Sequence, residues 1–118
     1  MKNAALLSAL AMLAACATPA APQRWSGIYE TQFETSSFSP EGGQERWWVS
    51  AADAAAAAQL RAAIAAPAEG PPWGRAAVTL EGVLSAPGRY GHLGAYERSL
   101  EVTRVISARP LRAPAPRT

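Results

Sequence analysis

Residues 50–64 read "SAADAAAAAQLRAAI", and this stretch decides how the rest of the chain is organised. Leu60 and Ile64 lie four apart, about one helical turn, and alanine with other strong helix formers fills the surrounding positions. Ser50 followed three residues later by Asp53 has the S-x-x-D spacing of a capping box, in which side chains occupy backbone N–H groups that the first helical turn leaves unpaired. The pattern predicts a helix over 51–65, ended by Pro67. Its apolar stripe is thin, so such a helix lies close against a sheet or covers one end of a barrel and supplies little core by itself.

On either side of this helix the period falls to two. Upstream, "RWSGIYETQFET" (24–35) places Trp25, Gly27, Tyr29, Thr31 and Phe33 on one face and Ser26, Glu30, Gln32 and Glu34 on the other, the alternation of a half-buried strand. "SSFSPEGGQ" (36–44) interrupts it, with Pro40, Gly42 and Gly43 marking a turn, and "ERWWVS" (45–50) resumes as a short aromatic strand. Downstream, past the loop "PAEGPPWG" (67–74), "RAAVTLEGVLS" (75–85) aligns Val78, Leu80 and Leu84, and Gly82 allows a bend or bulge. "YERSLEVTRVIS" (96–107) aligns Leu100, Val102 and Ile106 as a last strand. The order is a strand, room for a second short one, a strand, the helix, and two more strands. That is a mainly β (α+β) chain with the element order of a small OB-like five-stranded barrel; a curved antiparallel sheet with one covering helix has the same order.

The N-terminus carries a different kind of signal. "MKNAALLSALAMLAAC" has Lys2 as a positive start and then a short apolar run, the layout of a secretory signal and too short for a membrane-spanning helix. The run closes on "LAAC" (13–16), which looks like a bacterial lipobox: cleavage between Ala15 and Cys16 would leave Cys16 to be lipid-modified. "ATPAAPQ" follows, a composition suited to an extended tether. Ala17 in place of Asp favours, by resemblance to sorted Gram-negative lipoproteins, the outer membrane, with the domain facing the periplasm. The expected layout is a signal peptide at 1–15, a lipidated cysteine and flexible tether at 16–23, a folded domain at 24–108, and a disordered Pro- and Arg-rich tail at 109–118.

Composition narrows the function classes. The chain has 118 residues and a single cysteine, so the domain has no intramolecular disulfide and depends on packing. Beyond Cys16 ten arginines face nine acids, a balance that argues against a general nucleic-acid binder. The sequence holds no paired carboxylates, nucleophile elbow, phosphate loop or metal-ligand spacing, and so suggests a non-enzymatic chain without cofactor or metal.

Two features are candidates for recognition. Trp47 and Trp48 are adjacent on a strand and must point to opposite faces, so one enters the core and the other lies beneath the helix or the 67–74 loop, or in an open groove as a ligand platform. "APGRYGHLGAY" (86–96) spaces Gly88, Gly91 and Gly94 by three and holds the only histidine, His92. His92 fixes the turn, or joins Tyr90, Tyr96 and Arg98 in a mixed aromatic and basic patch. As a metal ligand it lacks company beyond Glu97 and Glu101, and as a general base it would need Ser85 or Ser99. The candidate binding surface is therefore Trp47, Trp48, Tyr90, His92, Tyr96 and Arg98, with an envelope protein or small ligand as partner. Arg104, Arg109, Arg112 and Arg117 could also touch lipid phosphates near the anchor.

"FETSSF" with Pro40, "ERWW" and "GRYGHLGAYERSL" together resemble a group of uncharacterised Gram-negative lipoproteins with FExSxFxP, WW and GxYGHLGxYxR-like segments. The resemblance spans most of the domain and implies an outer-membrane lipoprotein with a small β-rich fold and no established activity. Members of that group often carry cysteine near the turn after Pro40. Glu41 and Gly42 stand there in this chain, so no disulfide or metal role carries over to that turn.

Overall fold

The computed structural model describes residues 20–64 and 74–111. The signal segment, Cys16 and residues 17–19 of the tether, the helix-ending Pro67 with most of its loop, and Arg112 and Arg117 lie outside the described residues. Five strands form the fold: β1 (Gln23–Thr31), β2 (Ser36–Pro40), β3 (Trp47–Ala51), β4 (Gly74–Leu84) and β5 (Ser99–Leu111). One helix, α1 (Ala54–Ala63), stands between β3 and β4. The strands close into a barrel in the order β1-β2-β3-β5-β4, with β1 and β4 pairing to complete the ring. The helix therefore falls between the third and fourth of five strands, as the OB-like order requires. The sheet is mixed: every pairing is antiparallel except β3 with β5, so the purely antiparallel curved sheet does not form. A parallel pair needs a long crossover. Here α1, β4 and the connections around them supply it.

Inside the ring, cross-strand pairing lines up Tyr29, Phe38 and Trp47 on three adjacent strands. Phe38 is 0% exposed and Trp47 5%. The Trp25 and Trp47 rings meet edge to face at 5.4 Å. Gly27 faces inward beside them, and a Cβ there would run into Phe38 and the backbone of β2, so the bare backbone makes room for the ring. Val78, Leu80, Leu100 and Val102 complete the core, each such side chain contributing about 1.5–3 kcal/mol of burial. Leu60, Ala56 and Ala63 are the buried positions of α1, which packs on β5 and β3. Small alanines let the helix approach closely, as its thin stripe predicts.

Several local expectations are corrected. The helix starts at Ala54 with Asp53 as its cap, the carboxylate accepting from Ala56 N at 2.8 Å. Ser50 is not the cap because β3 continues to Ala51, with Ser50 opposite Glu101 in the parallel ladder. The strand read over 24–35 ends at Thr31; Gln32 N donates to Thr35 O at 2.9 Å, and the chain returns as β2 through the stretch read as an interruption. Phe33, aligned with the core face by period two, therefore lies at a turn with 73% exposure, and Phe38 takes the core place.

In β5 the pairing register slips twice, so that Thr103 and Ile106 are extra residues opposite β4. Each bulge flips the alternation that follows. Val105 consequently packs against the core, while Ile106, expected inside, is 39% exposed. Gly82 stands at the first slip, where a Cβ would meet Glu101 and Val102, and Thr103 Oγ1 donates to Glu81 O at 3.1 Å. The tail expected from 109 onward also begins late. Arg109, Pro110 and Leu111 continue β5 opposite Ala77, Ala76 and Arg75, because β4 is long enough to pair with them. Gln23, placed with the tether, is likewise the first residue of β1.

Candidate functional site

OB-like barrels commonly recognise ligands on the outer face of the second and third strands, between the β1–β2 and β4–β5 loops. In this chain the β4–β5 loop folds back onto Trp48 of β3. The loop is a small hairpin: Gly88 N donates to Glu97 O, and Tyr90 and Tyr96 exchange both backbone bonds. A 3₁₀ turn at His92–Gly94 closes it.

Adjacent residues on β3 diverge as expected. Trp47 enters the core, with only its Nε1 edge reaching out to Glu45 Oε2 at 3.3 Å. Trp48 lies outside and half-buried, with Tyr96 tilted against it at 5.4 Å between centroids. Gly91, at φ 70°, presses its backbone on the same indole, and any Cβ there would overlap the ring. The loop itself therefore uses the Trp48 platform.

Tyr90 and Arg98 are also committed internally. Tyr90 donates its hydroxyl to Ala86 O at 2.8 Å. Arg98 donates to Ser85 O at 2.9 Å, and its carbonyl accepts from Trp48 N. Four of the six predicted residues, Trp48, Tyr90, Tyr96 and Arg98, are thus brought together, half-buried, in the contacts that hold the β4–β5 loop.

His92 links two loops. Its Nε2 lies 3.4 Å from Glu34 Oε2, tying the β4–β5 loop to the β1–β2 loop. Ser85, considered as a nucleophile, donates to Ala86 O and accepts from Ser99 N, so the pairing with His92 is not formed. Among the described residues no group of three or more His, Cys, Asp or Glu is placed to hold a metal. Beside the loop is a cleft of about 240 Å³ lined by Glu45, Arg46, Trp47, Ala95, Glu97 and Arg98. Its two acids and two arginines balance, unlike the basic groove that tracks single-stranded nucleic acid.

What the sequence reading missed is the pair of apolar side chains flanking this tie. Leu93, next to His92, is 88% exposed, and Phe33, next to Glu34, is 73% exposed. Leu93 also holds φ at 58°, the only non-glycine residue at positive φ among those described. That backbone costs about 1–2 kcal/mol for a side-chain-bearing residue. A leucine between two turn glycines was the available signal, since neither strand nor helix could bury it there. Comparison with family models, curated proteins and solved structures gives no match for this chain.

Proposed function

We propose that the chain is a non-catalytic lipoprotein of the Gram-negative envelope, anchored to the outer membrane through Cys16 and facing the periplasm, whose internally hydrogen-bonded β4–β5 loop is its recognition element. The observation that carries the anchor is spacing: the lipobox cysteine is separated by six residues from Gln23, where the barrel's first strand begins. More than one acyl chain makes such attachment durable. Recognition rests on Leu93, with His92 next to it in the chain, in place of the tryptophans. A strained, exposed leucine on a braced loop is the kind of outlier from which a contact role is argued.

An assembly role without a specific ligand is the second reading, favoured by the internal use of Trp48, Tyr90, Tyr96 and Arg98. The test is the intact mass of protein extracted from membranes, compared with Cys16→Ser. A chain beginning at Cys16 and carrying acyl mass is expected, with the variant released to the soluble fraction. A variant that stays with the membrane would refute the anchor.

A further inference from the structure

The outer face of β1, β4 and β5, away from the loop site, is built to a repeated plan. At one end Arg24 and Arg104 both grip Glu81, at 3.3 and 2.9 Å. At the other end Arg46 and Arg75 both approach Glu30, at 3.6 and 3.4 Å. Each carboxylate neutralises one guanidinium and leaves a second uncompensated. Arg24 and Arg104 keep most of their side-chain surface in solvent, 60% and 58%.

Between the two triads runs an open groove of about 310 Å³, lined by the hydroxyl row Ser26, Thr79 and Ser107, with Arg109 and Glu41 at its margin. Ser26 and Thr79 share a 2.8 Å hydrogen bond across the strands. With Arg46 and Glu41 reaching it from neighbouring segments, this face holds five arginines against four carboxylates, Glu30, Glu41, Glu81 and Glu101, and the rest of the described chain holds three arginines against four. The face therefore carries a slight excess of guanidinium over carboxylate, although the described residues as a whole are balanced.

The tether decides what faces the positive side. Seven residues from Cys16 to Gln23 span at most about 25 Å when fully extended. Arg24 follows immediately, so the Arg24–Glu81–Arg104 end cannot leave the neighbourhood of the acylated residue. Anionic headgroups attract basic side chains within a Debye length of the surface. We propose that the β1–β4–β5 face is the membrane-facing side of the anchored domain, its arginines and hydroxyl-lined groove taking the phosphates of anionic phospholipid. The loop carrying Leu93 is then left to other contacts. This inference rests on the anchor reading only in taking Cys16 as the point where the membrane begins.

The test keeps the two readings apart by attaching the anchor chemically. The chain from Cys16 onward, coupled through its single thiol to a maleimide lipid, is placed on nanodiscs of phosphatidylcholine with or without phosphatidylglycerol. A nitroxide on the lipid headgroup then broadens the amides that approach the bilayer. Amides of 24–28, 77–81 and 104–109 are expected to broaden on the anionic discs alone and to recover at high salt.

R24Q, R104Q and R109Q together should erase that pattern, each arginine lowering the surface-associated population about fivefold. Spectra of the variant off the disc report whether the barrel is intact. E81Q, which frees two guanidiniums, should instead strengthen the pattern. Broadening centred on 89–95, an equal pattern on neutral discs, or an unchanged triple variant would overturn the proposal. Loss of the pattern to inorganic phosphate at constant ionic strength would also overturn it and assign the groove to a free anion. Absence of native acylation, read separately by mass, would refute the anchor without bearing on which face the discs attract.

Discussion

Leu93→Asn tests whether the leucine is kept for a contact outside the domain. At φ 58° the native residue bears a left-handed backbone cost of about 1–2 kcal/mol. With 88% of its surface in solvent, the side chain recovers only about 0.3 kcal/mol by burial. Asparagine tolerates this region far better, because its short polar side chain bonds locally. The substitution should therefore stabilise the isolated domain by about 0.5–1 kcal/mol, raising Tm by about 4 °C for a domain of this size. Leu93→Val, β-branched at the same backbone, should lower Tm. The assay is thermal unfolding of the chain from Cys16 onward, followed by tryptophan fluorescence and calorimetry. A fall in Tm for Leu93→Asn would show that the side chain holds the folded domain together, and the case for an exposed contact residue would collapse.

Two further outcomes follow from the packing. Gly91→Ala adds a Cβ against Trp48 at a positive φ and should cost about 1–3 kcal/mol; near-ultraviolet circular dichroism should report loss of the Trp48–Tyr96 arrangement, with the far-ultraviolet barrel signal retained. Burial raises the Tyr29 phenol above its ordinary value of 10.0, only partly offset by the hydrogen bond from Ser36. The unfolded chain therefore releases this proton at lower pH than the folded one, so the contribution is fully present below pH 10.0 and is lost as pH rises through the folded value. Denaturant titrations should show stability declining above that pH, with a shallower decline in Tyr29→Phe.

Much of the architecture was legible because it rests on local periodicity. The switch from period two to a helical repeat at Ala54–Ala63, and back again at β4, is written into the spacing of apolar residues and dictates a crossover between the third and fourth strands. The divergence of Trp47 and Trp48 follows from strand geometry alone. The lipobox-like "LAAC" (13–16) is equally local, and the anchor proposed from it makes no reference to the fold.

Other features depended on which strand lies beside which. Phe33 obeys the same alternation as Tyr29, and only the pairing of β1 with β2 decides that the chain turns after Thr31 and buries Phe38 instead. The bulges at Thr103 and Ile106 leave no clear mark on β5 itself, because they are set by register against β4, and they alone exchange Val105 for Ile106 at the core. Arg109 to Leu111 read as tail by composition but become strand because β4 extends far enough to pair with them. At the candidate site the sequence supplied the glycines, the tyrosines and the histidine. That the loop folds onto Trp48, that His92 reaches Glu34, and that Leu93 is left in solvent are long-range facts, decided when barrel closure brings loops far apart in the chain into contact.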